Sequence, residues 1–273
     1  MKKLSLIFMA VLVAALAGCA GDTTGTGGTL TTVQDLQLDA TSTGRTIVLK
    51  WSAVTDNIDG YKVYFKADGT GNWVEVGSPT TTTYTHTATN AGTYSVRAYK
   101  DTNFSKEYSN EASTMPSIVN VTYTIYDNKS AEEMPSGFIF GANSGQTGMA
   151  GSTQFKQDIY AYDESKGDND VWLYSGNFGT FGNGNQSYFQ TPASGVYGNC
   201  DPAGSWLGNS YKLLTSDSVV FVKLPYTAGG NAYVKMYNLT ITPDETPNGT
   251  KVSFSYEYQS KTLGLTVFTS NAN

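Results

Sequence analysis

A single histidine sets the first limit on the chemistry open to this chain. His86 is the one imidazole in 273 residues. It sits in the run Tyr84-Thr85-His86-Thr87, where alternation marks a strand and the position reads as an exposed one. A Ser-His-Asp triad or a Cys-His pair needs a histidine to carry the proton, and this one has no partners in view. No phosphate-cradling glycine loop, dinucleotide fingerprint or zinc spacing occurs. Paired carboxylates hydrolyse glycosides without histidine, but nothing in the sequence singles out a pair, so the reading is non-enzymatic. The carboxylates that do crowd together are Asp163, Glu164, Asp168 and Asp170, with Gly167 among them. Hard oxygen ligands on a turn suit calcium, which makes Asp163, Asp168 and Asp170 the candidate metal ligands; the alternative is a solvated hairpin loop. The other candidate site is aromatic. Phe181, Tyr188, Tyr197 and Trp206 stand among Gly and Asn residues between Ser175 and Leu207. Rings beside amides suit the faces and hydroxyls of sugars, and they equally suit protein contacts, where Tyr and Trp are enriched. The same rings placed differently would only plug the end of a fold. This stretch is the expected binding surface, with Trp206 and Phe181 as its leading residues.

The two cysteines have different fates. The chain opens with Met1-Lys2-Lys3 and continues with an apolar run from Leu4 to Ala17. That run is short of the roughly 20 residues a spanning helix needs. A basic start, a short apolar stretch and small residues at its end read as a secretory signal. Leu16-Ala17-Gly18-Cys19 resembles the bacterial lipobox. The resemblance implies a diacylglycerol on the Cys19 sulfur, cleavage after Gly18 and acylation of the new amino terminus. It makes membrane lipid the first partner and implies an exported protein anchored to the cell membrane or, given Ala20, to an outer membrane. Two or more acyl chains anchor stably where one does not. Residues 1–18 are then the signal, and 19–32 a Gly/Thr-rich tether, flexible by composition. Loss of Lys2 and Lys3 with no acid moves the formal net charge from −6 to −8. With no clustered positive surface, a nucleic-acid partner is not expected. Cys200 is left without a disulfide partner and is expected as a buried thiol.

The remaining roughly 255 residues make two domains the natural division. Short alternating runs separated by Gly, Asn and Asp predict strands throughout. Residues 33–115 contain seven: Leu36-Gln37-Leu38, Thr46 to Trp51, Tyr61 to Lys66, Trp73 to Val76, Thr83 to Thr87, Thr93 to Tyr99 and Tyr108 to Ser113. Ile47, Leu49 and Trp51 share one face, as do Tyr61, Val63 and Phe65. Seven short strands with turns between them predict a β-sandwich. After Pro116 the texture changes. Residues 118–273 offer Ile118 to Tyr126, Gly137 to Phe140, Gln157 to Tyr162, Val171 to Tyr174, Ser218 to Leu224, Ala232 to Thr242, Lys251 to Gln259 and Leu263 to Phe268. The fold class is therefore all-β, two sandwiches in tandem. A loop as long as 175–207 is uncommon in a compact domain, so that stretch is either functional or holds irregular short strands.

Two resemblances add to this. Thr46-Ile47-Val48-Leu49-Lys50-Trp51-Ser52, Gly60-Tyr61-Lys62-Val63-Tyr64, Gly92-Thr93-Tyr94-Ser95-Val96-Arg97-Ala98-Tyr99 and Tyr108-Ser109-Asn110-Glu111 resemble, in order, strands of a fibronectin type III domain. That resemblance implies core roles for Trp51 and Tyr94 and a spacer or protein-binding module. Ser218 to Lys223, Asn231 to Leu239 and Val252 to Gln259 resemble the closing strands of HmuY-like β-sandwich lipoproteins, as Asp158-Ile159-Tyr160 and Trp172-Leu173-Tyr174 do an earlier pair. This second family implies haem or another small hydrophobic ligand taken up for a transporter. The familiar haem-ligating His pair is missing, and Met236 alternates with apolar neighbours as a core residue does. The leading expectation is a membrane-anchored envelope protein with a binding or adhesion role. Its partner is envelope protein, glycan or a small hydrophobic ligand. No cofactor is expected; calcium is the alternative.

Overall fold

The computed structural model describes residues 30–128, 134–163, 171–193, 196–213, 217–242 and 250–270. Cys19, the signal and nearly all of the tether lie outside the described residues, as do Glu164, Asp168 and Asp170 of the calcium candidate. Among the described residues there are strands and turns but no helix.

Alternation becomes two-layer burial in the first domain. Its strands are β1 (Gln37–Leu38), β2 (Thr46–Lys50), β3 (Gly60–Ala67), β4 (Val74–Gly77), β5 (Thr83–Thr87), β6 (Gly92–Lys100), β7 (Asn103–Phe104) and β8 (Ala112–Ser113). One sheet runs β1-β2-β5; the other runs β4-β3-β6-β7, with β8 also on β6. Ile47, Leu49 and Trp51 face Tyr61, Val63, Phe65, Tyr94 and Val96 across the core, all buried. Trp51 meets Tyr61 edge-on at 5.4 Å between ring centres, a favoured aromatic geometry. This is the sandwich the fibronectin resemblance implies. The last strand departs from expectation. Only β7 and β8 pair regularly, and between them Ser109 holds the segment to β6, donating its N–H to Val96 O (2.9 Å) while its hydroxyl accepts from Val96 N (3.0 Å). The outer face of this sheet carries a ladder of rings and cations. The Arg97 guanidinium lies 5.1 Å from the centres of Phe104 and Tyr108, and Lys66 caps Trp73 at 4.6 Å.

His86 is not the exposed residue its neighbours suggest. Its Nδ1 is 2.8 Å from the Tyr94 hydroxyl, and its ring lies half-buried against Phe65 and Tyr94 at 5.4 and 5.7 Å. Burial lowers its pKa below the ordinary 6.5. The folded protein then binds that proton less tightly than the unfolded chain. The stability it contributes is complete above pH 6.5 and is lost as pH falls through the folded pKa. Urea midpoints measured across the mildly acidic range should show this loss, and His86→Gln should remove it while leaving other acid-dependent terms in place.

The second domain stacks two more sheets. Its strands are β9 (Ser117–Tyr126), β10 (Gly137–Ile139), β11 (Gln146–Gly148), β12 (Ile159–Tyr162), β13 (Val171–Ser175), β14 (Tyr188–Gln190), β15 (Leu207–Gly208), β16 (Ser210–Leu213), β17 (Val219–Pro225), β18 (Asn231–Thr242) and β19 (Lys251–Gln259). A five-stranded sheet, β11-β10-β12-β13-β16, faces a six-stranded one, β15-β14-β17-β18-β19-β9. The core between them holds Phe138, Phe140, Phe254 and Tyr256 with Val220, Val222, Val234 and Met236. Phe138 lies 5.0 Å from Phe254 edge-on. The long Gly-rich stretch supplies short strands β14 and β15, too brief for an alternation signal.

The six-stranded sheet is covered on its other face too. Val219, Phe221, Tyr233 and Tyr237 lie there under Cys200 and Phe268, with Tyr197 and Trp206 at the margin. Lys235, on the same face, is fully buried. Its ammonium reaches Glu257 Oε1 at 3.2 Å and the Thr269 carbonyl at 2.9 Å. Thr269 donates its N–H to Glu257 Oε2 at 2.9 Å, and its hydroxyl bonds Oε1. Burial pushes the Lys235 ammonium below its usual range, against the raising influence of Glu257 and of Asp68 in the first domain.

The tail that makes this cover belongs to both domains. Leu263 to Phe268, expected as a strand of the second sandwich, forms only single bridges, Leu265 to Gly44 and Val267 to Asn199. Leu265 and Val267 are buried in the first domain's core. Thr266 donates to Gly44 O (2.9 Å), Ala91 donates to Phe268 O (2.7 Å), and Phe268 donates to Gly198 O (2.7 Å). The Gln259 amide donates to Thr114 O and Val267 O at 2.8 and 2.6 Å. The tail runs as a strap between the turns at one pole of the first sandwich and the outer layer of the second.

Candidate binding cleft

The 176–187 stretch is shaped by one carbonyl. A Cβ at Gly176 or Gly184 would stand 1.9 or 2.0 Å from Gln157 O, so only glycine lets both strands of the loop close on it. Gly184 donates to Gly176 O (2.8 Å), and Asn185 donates to Gln157 O (2.7 Å). The Gln157 amide donates to Phe181 O at 2.8 Å. This knot delivers Asn185, Gln186 and Tyr188 to one side of a cleft of about 510 Å³. Leu224, Pro225, Tyr226 and Thr227, at the turn between β17 and β18, form the other side, and Asp158 the floor.

Each wall is fixed from behind. The turn is closed by Tyr226 N–H to Gly230 O (3.2 Å) and Gly229 N–H to Tyr226 O (2.9 Å). Gly229 and Gly230 take φ values of 86° and 79°, which glycine adopts without strain. The Tyr226 hydroxyl pairs with that of Tyr258 at 2.9 Å, and Lys261 lies 4.5 Å from the Tyr226 ring centre. On the other side the Tyr188 ring turns to the outer face of the six-stranded sheet, where Lys223 lies 4.6 Å from its centre. Asp158 is buried; its Oδ2 accepts Phe140 N–H (2.8 Å) and its Oδ1 accepts from the Asn185 amide (2.9 Å). Burial raises its pKa above 3.8, partly countered by those two donors.

The aromatic residues singled out in the sequence divide between three places. Tyr188 lines the cleft. Trp206 lies around the same lysine, with Lys223 Nζ 4.9 Å from its ring centre, and its indole N–H donates to Asp201 O at 3.0 Å. Tyr197 sits with Trp206 in the outer layer of the six-stranded sheet. Phe181 lies apart from them, packed with Tyr160, Tyr174 and Phe178 on the outer face of the five-stranded sheet. Asp163 is buried beside β12; its proposed partners Asp168 and Asp170 lie outside the described residues. Among the described residues, no group of three or more His, Cys, Asp or Glu side chains is placed to hold a metal ion. Asp158, Asn185, Gln186 and Tyr226 were not singled out by the sequence. The Gly-Asn density of 182–187 was the only signal for Asn185 and Gln186, and it speaks for loop shape more than for chemistry; Asp158 and Tyr226 lie outside it.

No family model matches the chain, and no curated protein matches it. Similarity to solved structures is to fibronectin-type folds among others. A "Fn3-like protein" from Clostridium thermocellum is 25% identical over 30% of this chain and 86% of its own, with a TM-score of 0.25. Titin kinase with its flanking domains is 12% identical over 83% of this chain, TM-score 0.31. The FN1–FN3 domains of chicken CNTN1 are 12% identical over 81% of this chain, TM-score 0.25. The matches span 37% and 63% of those last two chains.

Proposed function

We propose that this chain is an exported lipoprotein, anchored through Cys19, whose two β domains form a non-catalytic binding unit held off a membrane surface. The observation that carries the reading is the amino-terminal order: Lys2-Lys3, an apolar run of leader length, Leu16-Ala17-Gly18-Cys19, then a Gly/Thr tether. The placement of the domains supports it. The tether enters the first sandwich where Thr31 N–H meets Asp56, beside the start of β3. The second domain docks at the opposite pole, against Gly44, Asp68, Ala91 and Thr114. β6 spans that distance in nine residues, about 30 Å at ~3.3 Å per residue. The first domain thus serves as a spacer and the second carries the cleft. In keeping with a binding role, the His86 ring is engaged with core Tyr94 and the Cys200 thiol is buried.

The test is chemical. Mass analysis of the amino-terminal peptide from membrane-extracted protein should show Cys19 as the first residue, carrying acyl chains. Cys19→Ser should release the protein from the membrane fraction with its fold intact. An unmodified thiol behind an intact leader would overturn the reading.

A further inference from the structure

We propose that the cleft between segment 184–188 and the β17–β18 turn binds a neutral saccharide. The inference deepens the binding role proposed above and rests on it for biological sense, though the site is argued from its own chemistry. Its volume of about 510 Å³ falls within the roughly 300–1,000 Å³ of small-ligand sites. The lining decides the class of ligand.

An anion would find no Lys or Arg side chain among the lining residues and would approach the Asp158 carboxyl on the floor. A cation would find that carboxyl already accepting from Phe140 N–H and the Asn185 amide. A wholly apolar ligand would strip water from Asn185 Oδ1 and the Gln186 N–H groups without replacing its hydrogen bonds, a cost of about 1–3 kcal/mol per group. What remains is a neutral molecule with hydroxyls on its edge and C–H bonds on its face. The Asn185 amide spends its N–H groups on Lys156 O (3.2 Å) and Asp158 Oδ1 (2.9 Å) and presents its Oδ1 as an acceptor, while Gln186 Oε1 accepts from Asn177 (2.9 Å) and its N–H groups face the cleft as donors. Together they supply the donor and the acceptor that hydroxyl groups require. Tyr226 offers its ring, held by the Lys261 ammonium and by its hydroxyl contact with Tyr258; the Tyr188 ring turns with Lys223 to the outer face of the sheet, beside Trp206. The orientation of the Tyr226 ring is therefore set before a ligand arrives, which lowers the ordering cost of binding. Stacking by a sugar face on that ring, with its edge hydroxyls on the two amides, uses both the apolar and the polar side of the cleft.

The experiment uses the full-length protein in detergent and calorimetric titration with neutral tetrasaccharides of glucose, xylose, mannose and N-acetylglucosamine, with hemin titrated in parallel. At least one tetrasaccharide should bind. Tyr226→Ala and Gln186→Ala should each weaken that binding by about ten-fold. Trp73→Ala, on the outer face of the first domain, should leave it unchanged. Absence of binding to all four sugars, binding that survives both cleft substitutions, or hemin binding that either substitution abolishes would each overturn the proposal. None of these outcomes bears on the acylation of Cys19, which the amino-terminal peptide decides separately.

Discussion

Glu257→Ala should destabilise the protein by about 3–5 kcal/mol, the usual cost of breaking a buried ion pair by removing one member. Lys235 is fully buried, and its ammonium meets the Glu257 carboxylate at 3.2 Å. The Thr269 carbonyl and hydroxyl add neutral acceptors at 2.9 and 3.2 Å, which satisfy donors without balancing charge. The substitution also strips the acceptors from Thr269 N–H and its hydroxyl, so the strap loosens where it ends. Urea unfolding would read this as a lower midpoint at unchanged slope. The control is the paired exchange Lys235→Met with Glu257→Leu. Buried ion pairs replaced by apolar groups of similar size are often neutral or stabilising, so the pair should recover most of the loss. A Glu257→Ala protein within about 1 kcal/mol of the parent would mean that water reaches the Lys235 ammonium.

Phe268→Ala should cost a similar amount, about 3–5 kcal/mol for a buried phenylalanine, and should also change the chemistry of Cys200. The Phe268 ring is fully buried, 5.5 Å from that of Phe221, and it covers the layer in which Cys200 sits. Burial drives the Cys200 thiol far above its usual range, and a thiol that is neither ionised nor accessible does not react. In a Cys19→Ser background, where Cys200 is the one remaining thiol, an aromatic disulfide reagent should be inert toward the folded parent. With Phe268→Ala it should react under native conditions. Because Leu265 and Val267 belong to the first core while Phe268 belongs to the second domain's outer layer, both sandwiches should lose stability together. Two separated melting steps, with only one shifted, would contradict that coupling.

Most of the strand framework is readable from alternation. β2, β3, β6, β9 and β19 appear in the sequence within a residue or two of where they form, because each buries one face against a large core. What alternation misses is burial on the other face. The run Tyr233-Val234-Lys235-Met236-Tyr237 reads as Val234 and Met236 inward with Lys235 turned to water. Both sets are buried, and the clue was that the outward set included Tyr233, Tyr237 and the facing Phe221. Strands apolar on both sides are covered on both sides. The tail failed for a related reason. Leu263 to Phe268 alternates as a strand does, yet its partners are single residues in two domains, and no local pattern names a partner more than 200 positions away. The cleft was legible only as unusual composition. Of its two aromatic members Tyr188 was visible and Tyr226 was not, and the shape of the cleft depended on the Gln157 carbonyl and the glycines around it.

The strap also governs the order in which this protein can finish folding. Residue 265 completes a core begun at residue 33, so the first sandwich stays unfinished until a segment more than 200 positions further along the chain has docked. Closing so distant a contact is slow on entropic grounds. If the chain is exported as proposed, it gains from such a delay: its leading half stays threadable until the strap docks.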